Sequence, residues 1–288
     1  MARLNIGLRR AKLLCQMTTK ERLDFIAEGL PIILKSARGF WHAAEKLAHD
    51  NPREADVLEG FAEEEAAKIL ILIDAVRCPS KLLSEKLGII LNNFYDHLAR
   101  LIYAEAQGWK PMHAAQLQEY VNSSRQAHYL EGHVGEYIVP NWNVSRRESL
   151  LYADVEAYEE GVPQWNDPKS YVSGLPRFKP TVLQVAESLS LAGIFTPKGL
   201  DATAEIWGQV EFRDTQTHAD SRRLAQQLLT RLISEDLPSQ DCSQNDVTVL
   251  YQSWQMPMYH LDFTMIDVPL ADLLHERDAN LWAETGYG

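Results

Sequence analysis

The feature that most constrains the fold is a long run of apolar residues at helical spacing near the start of the chain. Between Thr18 and His49 an apolar side chain recurs every three or four residues. These side chains belong to Leu23, Ile26, Leu30, Ile33, Ala37, Phe40, Ala44 and Leu47. Because this spacing puts all of them on one face of a helix, the segment predicts one long helix, with a kink near Pro31.

Three more helices are predicted in the first half of the chain. They run from Pro52 to about Val76, from Pro79 to about Gln107, and from Met112 to about Leu130. The first of them begins within "NPRE", residues 51–54. This string places Asn51 at the N-cap, Pro52 at the first helical position and Glu54 where a capping box needs an acid. The connections between the first three helices are short, which indicates antiparallel neighbours. We therefore predict that residues 1–158 form an N-terminal helical bundle region.

The second half of the chain differs from the first in composition and in helical periodicity. Residues 159–180, "EEGVPQWNDPKSYVSGLPRFKP", contain four prolines and two glycines, so they predict an irregular connection. Helical periodicity returns at 181–194 and again at 200–235, and residues 181–236 predict helices that complete the bundle. Residues 237–288 form a C-terminal extension rich in aromatic and β-branched residues, which is compatible with one or two short strands. The predicted fold class is all-α.

Composition limits the possible partners and location. The 40 acidic residues exceed the 28 basic ones, for a formal net charge of -12, so no general attraction to nucleic acid or to an anionic membrane is expected. A phosphate-binding site would have to be a local basic pocket. No apolar run reaches the roughly 20 residues that a membrane span needs. Three widely separated cysteines fit a reducing compartment, and the predicted location is the cytoplasm.

Several catalytic motifs are missing from the sequence. It has no glycine-rich phosphate loop, no Gly-x-Ser-x-Gly elbow and no His-Glu-x-x-His, and its cysteines and histidines lack the spacing of metal ligands. We therefore expect no metal site and no cofactor.

Two polar side chains interrupt the apolar lines of the predicted second and third helices. Within "EEEAAK", Glu65 occupies a core position, where a carboxylate needs a charged or hydrogen-bonding partner. One interpretation is that Glu65 reaches an arginine or lysine at the bundle edge, with Glu63 and Glu64 in solvent. The other is that Glu65 orders a buried polar network beside a functional site. His97 is either a core histidine with its hydrogen bonds satisfied or the partner of Glu65.

A third anomaly is the stretch "FRDTQTHADSRR", residues 212–223. Its apolar line, within a predicted helix, is broken by Asp214, Thr217 and Ser221, while Arg213 and His218 flank the break. Such a face either borders water or lines a polar pocket. The Arg-x4-His spacing alone is weak, because it is common by chance in a chain of this composition.

Four segments elsewhere resemble a known family. They are "SARGFWHAAEKL" (36–47), "FAEEEAAKILILID" (61–74), "FYDHLARL" (94–101) and "RRESLLYADV" (146–155). Together they resemble the AbiV group of bacterial abortive-infection proteins, which belong to the HEPN superfamily of helical bundles. The resemblance covers about residues 30–170, and Ala67 stands where the family usually has glycine.

The resemblance implies a metal-independent ribonuclease whose motif is an arginine, a polar residue and a histidine four to six positions after the arginine. Arg213, Asp214 and His218 match that motif, and the family's dimers bring two copies of it together across a cleft. Arg147 to Tyr152 has the same spacing with tyrosine in place of histidine. We expect this pair, with Glu65 and His97, to form a supporting polar network.

The chemistry fits these residue types. RNA supplies its own nucleophile, the 2′-hydroxyl, so His218 can move protons as a general acid or base while Arg213 holds the phosphate. Arg222 and Arg223 are expected to add RNA contacts. On one regular helix Arg213 and His218 would point about 140° apart, so convergence needs a dimer or a helix that begins near Arg213.

The expected function is thus an antiphage endoribonuclease that cleaves RNA and arrests translation or growth. It would act as a homodimer, with a phage or host protein triggering or restraining it. Two alternatives stay open: a non-enzymatic helical dimer that binds a host or phage protein, and a small-ligand sensor built on the bundle.

Overall fold

The computed structural model describes residues 11–157, 161–171 and 177–285. Within these ranges the chain is predominantly helical, so the predicted all-α class is confirmed. A 3-10 helix at Ala11–Gln16 comes first. The helices are α1 (Thr19–Leu47), α2 (Pro52–Arg77), α3 (Ser80–Asn93), α4 (His97–Ala106), α5 (Ala114–Ser124), α6 (Trp142–Leu151), α7 (Thr181–Leu191), α8 (Pro197–Trp207), α9 (His218–Ser234), α10 (Gln244–Ser253) and α11 (Leu270–Thr285). The strands are β1 (His128–Glu131), β2 (Tyr137–Pro140), β3 (Asp154–Glu156) and β4 (Gln164–Asn166).

The predicted first helix is confirmed as α1. A capping box starts it: the Glu21 backbone N–H donates to Thr18 Oγ1 over 3.3 Å, and the Thr18 backbone N–H donates to Glu21 Oε2 over 2.9 Å. The helix continues through Pro31 to Leu47. At the start of α2 the expected capping box is absent, because the Asn51 side chain makes no capping hydrogen bond.

Helix α2 is the centre of the bundle. It packs against α1, α3, α4, α6, α7 and α8. Its second half carries the run "ILILIDAV" at 69–76, and every residue of that run is buried. A helix that is apolar all round is buried all round, so the single apolar face that we predicted for α2 is too narrow.

Two predicted helices end earlier than expected. The third divides into α3 and α4, because Asp96 caps a new helix by accepting a hydrogen bond from the Ala99 N–H over 2.8 Å. The fourth ends at Ser124, and the residues after it form β1, which pairs antiparallel with β2.

The long helix predicted over 200–235 is wrong. The structure has α8, a loop at 208–217, and α9. A capping box of Thr217 and Asp220 starts α9. In the loop, Phe212 is buried and its backbone N–H donates to the Tyr259 hydroxyl over 2.9 Å.

The C-terminal extension contains no strand among its described residues, 237–285, so that expectation is also wrong. The extension forms α10 and α11, and Ile266 makes one isolated bridge to Gln126. Between these helices the chain enters the core. Its buried apolar side chains there are Trp254, Met256, Met258, Tyr259, Leu261 and Phe263.

A buried ion pair connects this segment to α2. The Arg77 guanidinium lies over the rings of Trp207 and Trp254, at 4.7 and 4.6 Å from their centroids, and the two rings also pack against each other. It donates to Asp74 from Nε over 2.9 Å and to the Gln255 carbonyl over 2.9 Å. The other Asp74 oxygen accepts from the Met258 backbone N–H over 2.7 Å. Since buried charges are tolerated only when partners surround them, this network fixes the position of the segment.

The proline-rich connection is held against α2 by a second ion pair. Arg177 is buried and pairs with Asp56 and Glu59. Asp56 also accepts hydrogen bonds from Ser170 Oγ and from the Tyr171 backbone N–H. Residues 158–160 and 172–176 of the predicted connection lie outside the described residues. No helix in the described chain is long and apolar enough to cross a membrane.

Candidate functional site

The most distinctive polar feature is a buried carboxylate with three cationic or ionisable partners. Glu64 lies on α2 and is almost fully buried. Its Oε2 atom lies 2.7 Å from His97 Nδ1 and 3.1 Å from Arg100 Nη1, and its Oε1 atom accepts from Arg147 Nε over 2.8 Å. Helices α2, α4 and α6 therefore meet at this one carboxylate.

With Glu64 ionised, its contact assigns the tautomer of His97. An ionised carboxylate only accepts, so at 2.7 Å the His97 Nδ1 atom must carry the proton and donate it to Glu64. Arg100 Nη2 also lies 2.9 Å from His97 Nδ1, but a protonated Nδ1 has no lone pair to accept from it. The other ring nitrogen, Nε2, makes no hydrogen bond within the described chain. The His97 side chain is 51% exposed, so Nε2 is available to a ligand.

His97 lines a cavity of about 320 Å³. The cavity's other polar walls are Glu64, Glu65, Lys68 and Arg100. Three aromatic rings complete it, those of Phe40, Phe61 and Tyr95. No serine, threonine or cysteine belongs to this lining, so the cavity combines an imidazole, two cations, two carboxylates and aromatic surface that includes the Tyr95 hydroxyl.

A smaller cavity of about 40 Å³ lies on the other side of Glu64. Arg147 lines it, and the two terminal nitrogens of Arg147 make no hydrogen bond within the described chain. Glu63 also lines it, and burial raises the pKa of Glu63 to about 7, with the neighbouring Arg146 opposing the rise. The two adjacent glutamates thus differ: Glu64 is surrounded by cations, whereas Glu63 exchanges a proton near neutral pH.

The prediction for Glu65 needs correction, because the buried member of "EEEAAK" is Glu64. Glu65 is only partly buried and pairs with Lys68 one turn later. His97 is likewise at the exposed start of α4 and not in the core, and its carboxylate partner is Glu64. The Glu65–Lys68 pair agrees with the first interpretation of Glu65, but that interpretation is wrong to place Glu64 in solvent. The buried polar network of the second interpretation is present, with Glu64 at its centre in place of Glu65.

The structure does not bring Arg213 and His218 together within one chain. Arg213 lies in the loop before α9, is 69% exposed and pairs with Glu211. Asp214 is exposed beside it. His218 is the first residue of α9, and its buried Nδ1 atom has no hydrogen-bond partner in the described chain. Burial lowers the pKa of His218, and the nearby positive charge of Arg222 lowers it further.

The other predicted contacts are distributed over the surface. Arg222 lies over the Tyr251 ring at 5.5 Å, and Arg223 pairs with Asp220 over 3.1 Å. Arg147 belongs to the Glu64 cluster, but Tyr152 is exposed and lines a different cavity. Among the described residues no three His, Cys, Asp or Glu side chains are grouped closely enough to hold a metal ion.

Two signals in the sequence point to the observed cluster. The apolar run after "EEEAAK" shows that α2 is buried on every side, so any of the three glutamates can face a neighbouring helix. The Asp96 cap places His97 and Arg100 on one face of the first turn of α4, three residues apart. The contribution of Arg147 depends on how α6 packs, which the sequence does not specify.

No protein-family model, curated protein or solved structure matches the chain.

Proposed function

We propose that this protein is a metal-independent ribonuclease whose reacting group is His97. The observation that carries the proposal is the Glu64 carboxylate, which binds His97 Nδ1, Arg100 and Arg147 and leaves His97 Nε2 available at a cavity. The site thus differs from the Arg213 and His218 motif indicated by the family resemblance.

Glu64 has the role of a positioning residue. A carboxylate that accepts from one ring nitrogen fixes the orientation and the tautomer of the imidazole. His97 Nε2 is then set to accept a proton from a substrate hydroxyl and to return it to a leaving group. Glu64 also binds Arg100, which lines the same cavity as His97, whereas Arg147 holds Glu64 from the side of the smaller cavity.

The lining of the cavity favours RNA as the substrate. RNA brings its own nucleophile, because its 2′-hydroxyl lies next to the phosphate that it attacks, so His97 needs only to move protons. Lys68 and Arg100, which pair with Glu65 and Glu64 of the same lining, are the cations that would contact that phosphate. The rings of Phe40, Phe61 and Tyr95 offer surfaces on which an unpaired base can stack.

The proposed reaction is an internal transesterification of the RNA. His97 Nε2 removes the proton of the 2′-hydroxyl, the 2′-oxygen bonds to phosphorus, and the bond from phosphorus to the 5′-oxygen breaks. The 5′-oxygen leaves with a proton returned by the imidazolium. The products are a 2′,3′-cyclic phosphate and a 5′-hydroxyl, and no metal takes part. In a cell this activity would give the growth arrest that the AbiV resemblance implies.

The test compares three histidine variants on a fluorescently labelled single-stranded RNA. We expect His97→Gln to lower the cleavage rate by about a hundredfold or more, which is typical of loss of a general acid or base. His49→Gln is the matched control, because His49 is almost fully exposed, and it should cleave at the wild-type rate. His218→Gln tests the competing motif, and melting temperatures of all three show whether they fold.

Each result has a clear meaning. Loss of cleavage in folded His97→Gln, with activity kept in His218→Gln, supports the site around Glu64. Loss in His218→Gln with activity kept in His97→Gln overturns it and favours the Arg213 motif. Cleavage of an RNA with 2′-deoxyribose at the cut site, or inhibition by EDTA, contradicts the mechanism. Absence of cleavage by the wild-type protein on every RNA supplied overturns the function itself.

A further inference from the structure

A further cavity lies between four helices at the C-terminal end of α2. Its volume is about 270 Å³, and its walls come from α1, α2, α3 and α8 and from the residues directly after α2 and α8. Within the described chain, no residue lines both this cavity and the His97 cavity. Spaces between the helices of a bundle are common sites for small ligands, and drug-sized ligands occupy about 300 Å³ or more. The cavity therefore has room for a ligand somewhat smaller than a drug.

The floor of this cavity is apolar. Its buried side chains are those of Leu23, Ile26, Ala75, Val76 and Cys78. Burial raises the pKa of the Cys78 thiol to about 12, so the thiol is uncharged at neutral pH. Hydrocarbon leaves water for such a surface, and each methylene group buried there strengthens binding by up to about fourfold. The floor therefore favours an alkyl chain.

The rim of the cavity is polar. The exposed lining residues are Thr19, Ser80, Glu205 and Gln209. The Glu205 side chain is 65% exposed and lies 3.9 Å from Arg231, so its carboxylate is solvated and has a cation of its own. An apolar floor below a polar rim suits a molecule with an alkyl chain and a single polar end.

The positive charge of the lining comes from Arg22, the one basic residue among the described residues around the cavity. Its Nε atom donates to the Leu14 carbonyl over 3.1 Å, and its Nη2 atom donates to the Met17 carbonyl over 2.9 Å. These two bonds fix the plane of the guanidinium. The Nη1 atom has no acceptor within the described chain, and no carboxylate there pairs with Arg22. A partly buried guanidinium without a counterion attracts an anion, and a carboxylate matches the planar geometry of its N–H groups.

We propose that this cavity binds a medium-chain fatty acid, with the alkyl chain on the apolar floor and the carboxylate at Arg22 Nη1. The bound acid contacts four helices at once, so its binding stabilises their packing. An alcohol of the same chain length lacks the charge that complements Arg22, and an alkylammonium ion carries the wrong sign. The proposal does not depend on the nuclease activity, because the two cavities share no residue in the described chain.

The test is isothermal titration calorimetry of the full chain with octanoate, octanol and octylammonium, each below its micelle concentration. We expect octanoate to bind with a stoichiometry of one per chain. Octanol should bind about tenfold more weakly, because it forms no ion pair with Arg22, and octylammonium should bind no better than octanol. Hexanoate has two methylene groups fewer than octanoate and should bind roughly tenfold more weakly.

Substitutions locate the binding site. Arg22→Gln should weaken octanoate binding by about tenfold and make octanoate similar to octanol. Lys20→Gln is the matched control and should bind octanoate as the wild type does, because Lys20 is exposed on the same helix and does not line the cavity. Ala204→Leu places a larger side chain in the cavity and keeps Arg22, so it should weaken the binding of octanoate and of octanol.

Circular dichroism melts show whether the variants fold. If Arg22→Gln does not fold, Ala204→Leu and the comparison of octanoate with octanol still test the proposal. Absence of saturable octanoate binding by the wild-type protein overturns it. So does binding of octanol or octylammonium as tight as that of octanoate, or octanoate binding of wild-type strength in folded Arg22→Gln or in Ala204→Leu.

Discussion

Replacing Glu63 with glutamine should make folding stability less dependent on pH. The Glu63 carboxyl lines the small cavity beside Glu64, and burial raises its pKa from 4.5 to about 7. A group with a raised pKa stabilises the fold while it stays protonated, and that stability is lost as pH rises through the folded-state pKa. Glutamine occupies nearly the same volume and never ionises.

The size of the effect follows from the two pKa values. Each tenfold difference in proton affinity is worth about 1.4 kcal/mol, so the wild-type protein loses up to about 3 kcal/mol to the ionisation of Glu63 at high pH. Near pH 5 most of this penalty is absent. The free energy of unfolding of Glu63→Gln minus that of the wild type should therefore increase by about 2–3 kcal/mol between pH 5 and pH 8.5.

Urea unfolding followed by tryptophan fluorescence at several pH values measures this difference. Taking the difference between the two free energies of unfolding cancels the contribution of every other titrating group, because both proteins share those groups. Glu65→Gln is the matched control for removing one negative charge from the same stretch of α2, since Glu65 pairs with Lys68 and is partly exposed. A flat difference for Glu63→Gln would refute the assignment of Glu63 as a carboxyl whose ionisation is opposed by burial.

Three further predictions concern the fold. Asp74→Ala should lower the free energy of unfolding by about 3–5 kcal/mol, because it leaves a buried guanidinium without its carboxylate; thermal denaturation measures this. Arg177→Ala should release the proline-rich connection from α2, and faster cleavage in limited proteolysis would show it. Gly193→Ala should destabilise by more than about 1 kcal/mol, since Gly193 has φ +85° and a Cβ would collide with the Leu237 carbonyl. Gly88→Ala in α3 meets open space and should be neutral or slightly stabilising; equal melting temperatures for the two alanine variants would contradict this reasoning.

The helical class and the longest helix follow from local patterns. The apolar spacing after Thr18 predicts α1 closely, because its face packs on a single neighbouring layer and its cap is local in sequence. The break between α8 and α9 was also readable, since Thr217 and Asp220 form the same kind of capping box. The polar residues before that box belong to a loop, which explains why the apolar line appears interrupted there.

The site was predictable only in its residue types. A buried carboxylate in "EEEAAK" and a histidine partner were both expected, but the choice of Glu64 over Glu65 depends on how α2 is rotated among its neighbours. The apolar periodicity of a helix predicts its rotation about its own axis when only one face is buried. It does not predict the rotation of α2, because this helix is surrounded by neighbours and has apolar side chains on every side.

The insertion of residues 254–263 into the core has a consequence for how the chain folds during synthesis. Arg77 is made early, yet its stacking partner Trp254 and its acceptor Gln255 are made more than 170 residues later. Until they emerge from the ribosome, α2 carries a charged group that has no place in an apolar bundle. We expect the N-terminal helices alone to remain loosely packed on the ribosome and to reach the final fold only after residues 254–263 have emerged.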